Sequence, residues 1–139
     1  MPNSYERTIH FPDTDAAGVV YFARTLSICH EAYEEALGSA GLELHNFFSK
    51  AGVVVPIARA EADYKRPLAC GDRIRVDVRP ERLSGDSFAV NFVVTKLGRP
   101  EKQAAVARTV HVCIASDTRA RTPLPPALAA WVDGATGPG

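Results

Sequence analysis

The sequence has no cysteine pair at redox or metal-binding spacing, no excess of either charge and no apolar run long enough to cross a bilayer. Each absence removes a class of function. Cys29, Cys70 and Cys113 are three in number and far apart, so neither a disulfide framework nor a zinc knuckle is suggested and a reducing compartment fits best. Sixteen Lys and Arg balance sixteen Asp and Glu, leaving no net field to attract a nucleic acid backbone or an anionic lipid surface. Apolar runs such as 51–58 fall far short of the roughly 20 residues that span a membrane. The start, Met1-Pro2-Asn3-Ser4-Tyr5-Glu6-Arg7, lacks the apolar stretch of a signal peptide. His10, His30, His45 and His111 show no ligand spacing, so no metal is expected. The expectation is a cytoplasmic protein with no nucleic acid partner and no membrane insertion.

What is present is enough for one domain over 1–139, since 46% of the residues are apolar and can bury a core without a staple. Tyr5 to Phe11 reads as a strand stopped by Pro12. After Gly18 the spacing turns helical: Phe22, Leu26, Cys29, Tyr33, Ala36 and Leu37 share one arc, and Gly38 and Gly41 end it. Residues 41–50 extend that helix or form a second short turn. From Val53 the period falls to two, with Ala58, Ala60, Ala62 and Tyr64 on one face before Pro67 ends the run. Ile74, Val76 and Val78, then Phe88, Val90, Phe92 and Val94, then 104–115 continue the alternation. The turns Cys70-Gly71-Asp72, Ser84-Gly85-Asp86 and Gly98-Arg99-Pro100 between them are short, which favours antiparallel hairpins in a meander. The Pro-rich tail from about 122 blocks further pairing, leaving one or two helical turns over 127–132. The order β-α-β-β-β-β is an α+β layer, one long helix packed on a five-stranded antiparallel sheet, whose other face a second subunit could close.

Chemistry concentrates before the helix. Asp13 and Asp15 lie in the loop that feeds its N-terminus, where unpaired N–H groups and the positive dipole end stabilise an anion or oxyanion. Gly18 allows a sharp turn and a close substrate approach. On spacing alone two readings stay open: one aspartate caps the helix, or one is a reactive carboxylate beside backbone donors. An aspartyl phosphatase also begins with Asp-x-Asp after a strand, but it needs a parallel sheet, which the antiparallel pattern opposes. Glu31 falls opposite the apolar arc and reads as a solvated or interface residue; His30 at the arc's rim and His111 on the last strand read as structural.

Tyr5-Glu6-Arg7, Asp13-Thr14-Asp15-Ala16-Ala17-Gly18-Val19-Val20-Tyr21-Phe22 and Cys29-His30-Glu31-Ala32-Tyr33-Glu34 resemble the hot-dog thioesterases of the 4-hydroxybenzoyl-CoA thioesterase group. Val110-His111-Val112-Cys113-Ile114-Ala115 and the tail Arg121-Thr122-Pro123-Leu124-Pro125 are most similar, within that group, to cyanobacterial 1,4-dihydroxy-2-naphthoyl-CoA thioesterases of phylloquinone (vitamin K1) biosynthesis. The resemblance implies a single hot-dog fold and an acyl-CoA thioesterase acting on an aromatic ester. General aromatic or short-chain esters, or acyl-CoA binding without turnover, remain alternatives.

The resemblance also implies roles for residues. The second aspartate, Asp15, is the catalytic one, and the backbone N–H of Phe22 polarises the thioester carbonyl. A sister group carries histidine at the Phe22 position and this chain does not. Gly18 and Tyr21 are expected beside the substrate. Val55, Pro56 and Ile57 are expected at the acyl group, across a dimer interface. Arg82, Arg119 and Arg121 are available for the coenzyme A phosphates, although Ser84-Gly85-Asp86 stands where the best-known relative has basic residues. No cofactor is needed beyond the coenzyme A of the substrate, and a homodimer or a dimer of dimers is expected. Carboxylates ordinarily titrate near about 3.9 and are weak bases at pH 7, which tilts Asp15 towards nucleophile while leaving the general-base role open.

Overall fold

A computed structural model describes residues 3–49 and 52–135. Lys50, Ala51 and the outermost residues of the expected domain lie outside the described residues. The elements are β1 (Asn3–Thr8), a 3-10 turn (Phe11–Asp13), α1 (Phe22–Ser39), α2 (Leu44–Ser49), β2 (Val53–Val54), β3 (Ile57–Tyr64), β4 (Arg73–Arg82), β5 (Ser87–Lys96), β6 (Lys102–Val112), β7 (Ile114–Ala115) and α3 (Pro126–Ala135). The main sheet has five strands in the order β1-β4-β5-β6-β3, all antiparallel. With α1 laid across it this is the hot-dog architecture. No helix among the described residues is long and apolar enough to cross a membrane.

Three details depart from the sequence reading. β1 stops at Thr8, because Pro12 sits in the first turn of a 3-10 helix and the Asp13 carboxylate accepts the His10 N–H at 2.8 Å. The run from Val53 is broken at Val55-Pro56: proline has no N–H for a ladder, so β2 pairs with β7 while β3 joins β6, with an irregularity between Ile57 and Arg59. The meander is confined to β4-β5-β6. β1 occupies the free flank of β4, so β3 crosses to the far edge instead of forming a hairpin with β4.

The core lies between α1 and the sheet face carrying Ile74, Val76, Val78, Phe88, Val90, Phe92 and Val94, all buried. α1 contributes Ile28, Cys29, Ala32, Tyr33, Ala36 and Leu37, and α3 adds Leu128, Trp131 and Val132. Phe22 belongs to the expected arc but is 62% exposed, because the first turn of α1 overhangs a cleft instead of the sheet. The opposite sheet face carries ion pairs, Arg75 with Glu101 at 3.1 Å and Arg108 with Glu81 at 3.0 Å. The same face also carries Ala89, Val93, Val106, Val110 and Val112 on β5 and β6.

Candidate active site

The chain from Asp13 to Tyr21 folds into a miniature hairpin between β1 and α1. Asp15 N–H donates to the Val19 carbonyl at 2.9 Å, Gly18 N–H to the Asp15 carbonyl at 2.9 Å, and Tyr21 N–H to the Asp13 carbonyl at 3.0 Å. Thr14 and Val20 form a bridge across it. Gly18 has φ +83°, a left-handed conformation that favours glycine. A methyl group there would meet no atom within 4 Å, so backbone conformation and not crowding selects the residue. Val20 N–H donates to the Leu68 carbonyl at 2.8 Å and Val19 bridges Ala69, docking the hairpin on the segment after β3.

Asp15 projects from this hairpin, exposed, with Oδ1 accepting the Ala17 N–H at 2.8 Å. It borders a cleft of about 440 Å³ whose walls include Tyr21, Phe22, Thr25, Tyr64 and Leu68. Tyr21 and Phe22 meet edge to face with centroids 4.9 Å apart, and the Tyr64 hydroxyl donates to the Phe22 carbonyl at 2.7 Å. The three residues are 47%, 62% and 50% exposed, an aromatic lining open to a planar ligand. Phe22 is the first residue of α1, and its N–H has no acceptor among the described residues. A carboxylate and an unpaired helix N-terminal donor therefore share one aromatic-walled cleft, an arrangement able to attack a carbonyl carbon and hold the resulting oxyanion.

Asp13 does different work. It is 1% exposed and binds Arg7 of β1, Arg24 Nε of α1 at 2.8 Å and the His10 N–H at 2.8 Å. Burial pushes its carboxyl upward, but the His10 N–H and the Arg24 and Arg7 guanidinium groups outweigh that, and its pKa is lowered. Neither aspartate caps α1: the N-cap is Tyr21, without a side-chain bond, and Asp13 is the third residue of the 3-10 turn, its carboxylate accepting the N–H of that turn's N-cap, His10.

Asp15, Tyr21 and Phe22 are thus brought together, with Gly18 setting their turn. Val55, Pro56 and Ile57 are absent from the lining of this cleft; Ile57 starts β3, whereas Tyr64 ends it. Arg82 is held by Asp133 at 2.8 Å and Arg121 by Asp86 at 3.2 Å, and Arg119 is exposed at φ 63°. Among the described residues, the cations that border the cleft are Lys65 and Arg66. Glu31, read as a solvated or interface residue, is part-exposed and accepts from Tyr5 Oη at 3.0 Å and Arg7 Nη1 at 3.1 Å, because the inner face of β1 brings those two side chains to it. His111 is buried, its Nε2 2.8 Å from Thr109 Oγ1 and its ring stacked on Phe88 at 4.7 Å.

Sequence reasoning missed Thr25, Tyr64 and Leu68. Only Tyr64 carried a signal, as an aromatic at the end of an alternating run just before Pro67.

The sequence model of the Thioesterase-like superfamily matches residues 9–132. The 1,4-dihydroxy-2-naphthoyl-CoA hydrolase of Synechococcus elongatus is 49% identical over 129 residues, covering 92% of this chain and 93% of the relative. The hydrolase of the same name from Thermosynechococcus vestitus is 47% identical over 131 residues, covering 94% and 88%. Among solved structures, a 1,4-dihydroxy-2-naphthoyl-CoA thioesterase from Synechocystis superposes with a TM-score of 0.92 at 36% identity, over 99% of this chain and all of that one. With the hot-dog layers in place, and with sequence identity running almost end to end, the chain belongs to the thioesterase-like superfamily.

Proposed function

We propose that the protein hydrolyses the thioester of an aromatic acyl-CoA, 1,4-dihydroxy-2-naphthoyl-CoA foremost, the step in phylloquinone formation that the sequence resemblance implies. The observation that carries the reading is Asp15 and the unpaired Phe22 N–H bordering one cleft walled by Tyr21, Phe22 and Tyr64. The names of relatives at 47% and 49% identity support the naphthoyl group.

The acyl ring lies among the aromatic walls with its carbonyl oxygen towards Phe22 N–H. The Asp15 carboxylate adds to the carbonyl carbon, or takes a proton from a water that adds. The oxyanion accepts the Phe22 N–H, a contact typically worth about 3 kcal/mol in a dry site. As the carbonyl re-forms, the C–S bond breaks and the thiolate leaves without strong acid help. In the nucleophilic branch, water then cleaves the mixed anhydride and restores Asp15. The products are the carboxylate, coenzyme A and a proton. No cofactor is required, and the reaction is placed in the cytoplasm.

A second copy completes the site. β3 is an exposed edge strand, and edges of this kind pair readily. Two copies of β3 paired antiparallel about the middle, between Ala60 and Glu61, set Ile57 of one opposite Tyr64 of the other. Val55, Pro56 and Ile57 then reach a neighbour's cleft, in a dimer or a dimer of dimers. For the coenzyme A phosphates, Lys65 and Arg66 border the cleft. Arg119 remains available, whereas Arg82 and Arg121 must first release Asp133 and Asp86.

The test is thiol release from a panel of aromatic and aliphatic acyl-CoAs. Hydrolysis of 1,4-dihydroxy-2-naphthoyl-CoA well above all others is expected. Turnover of short aliphatic esters alone would remove the naphthoyl assignment, and no release from any ester would turn the reading to a binding module.

A further inference from the structure

The hydrogen bonds at the start of α1 close a ring around the Phe22 N–H. Arg24 Nε donates to the Asp13 carboxylate at 2.8 Å. The Arg24 backbone N–H donates to the Tyr21 carbonyl at 2.8 Å, and the Tyr21 N–H donates to the Asp13 carbonyl at 3.0 Å. The Tyr21 carbonyl belongs to the same planar peptide unit as the Phe22 N–H, so a donor on that oxygen fixes the plane and strengthens the N–H as a donor in turn. Asp13 also holds Arg7 of β1 and the His10 N–H, which anchors the ring to the sheet. At 1% exposure, and absent from the cleft lining, Asp13 has no access to a substrate.

Resting on the reading of Asp15 and the Phe22 N–H given above, we infer that Asp13 and Arg24 are positioning residues for thioester hydrolysis, their ion pair holding the Phe22 N–H at the place where the oxyanion forms. The geometry also separates this role from folding. The Arg24 side chain is 41% exposed, and Asp13 keeps Arg7 and the His10 N–H when Arg24 is shortened, so no buried charge is stranded.

The experiment compares wild type, Arg24→Gln, Arg24→Lys and Asp15→Asn in full-length protein, by steady-state kinetics on 1,4-dihydroxy-2-naphthoyl-CoA and by melting temperature. Misplacing a reacting group by about 1 Å costs about a hundredfold. Arg24→Gln is accordingly expected to lower kcat by about tenfold to a hundredfold with KM within about threefold. Its melting temperature should stay within about 3 °C of wild type, and Arg24→Lys should recover most of the lost kcat. Wild-type kcat in Arg24→Gln beside an inactive Asp15→Asn overturns the positioning role alone. A fall in kcat that merely tracks a fall in melting temperature overturns it as well. Wild-type turnover in Asp15→Asn removes the underlying reading of Asp15.

Discussion

The Tyr64 hydroxyl donates to the Phe22 carbonyl at 2.7 Å across the cleft that Asp15 borders. This bond ties the last residue of β3 to the first turn of α1, 42 residues apart in sequence. Removing it with Tyr64→Phe keeps the ring and loses one neutral hydrogen bond, worth about 1 kcal/mol, so kcat/KM should fall by about fivefold. Tyr64→Ala also removes an aromatic wall, and its KM should rise more for aromatic than for short aliphatic acyl-CoAs. Equal effects on the two ester classes would exclude a role for Tyr64 in recognising the ring.

Asp13 and Asp15 should separate cleanly in stability. Asp13→Ala leaves Arg7, 11% exposed at its side chain, without its main buried partner, a change that typically costs about 3 to 5 kcal/mol. Asp15→Asn changes an exposed side chain and should stay within about 0.5 kcal/mol of wild type. Urea unfolding of the two variants measures both numbers, and a comparable loss in each would contradict the division of labour between the aspartates.

How much of this was legible beforehand depended on distance along the chain. Asp15, Gly18, Tyr21 and Phe22 fall within eight consecutive residues, so a local motif could place the carboxylate, the turn and the donor together. Tyr64 and Leu68 reach the same cleft only because β3 sits at the far edge of the sheet beside β6, and a period-two pattern says nothing about which strand is its neighbour. The Asp13 ion network has the same origin: Arg7 comes from β1 while Arg24 and Glu31 come from α1, and they meet only when β1 pairs with β4 under α1. Helical periodicity identified the buried side of α1 but not where the helix runs past the sheet, so it placed Phe22 in the same arc as the residues that the sheet buries.

Acid should act on the core through His111. Burial against Tyr33 and Phe88, with a smaller contribution from His30, lowers its pKa from 6.5 to about 4. Between those values the unfolded chain binds the proton more readily than the folded one, so stability rises with pH across the window and is lost as pH falls from about 6.5 towards 4. The loss attributable to this group by pH 4 is on the order of 3 kcal/mol. The Asp13 contribution, from a carboxyl that is lowered, is lost as pH falls through the usual carboxylate range and on through the lowered folded value. Denaturant unfolding from pH 7 to pH 4 should show a flatter profile for His111→Gln than for wild type, and parallel profiles would contradict the assignment.

The central claim is that Asp15 performs the chemistry, and its most direct test is single-turnover hydrolysis of 1,4-dihydroxy-2-naphthoyl-CoA by Asp15→Asn beside a measurement of ester binding. The account predicts a loss of at least about a thousandfold in rate with affinity for the ester retained. Hydrolysis by Asp15→Asn at the wild-type rate would contradict it.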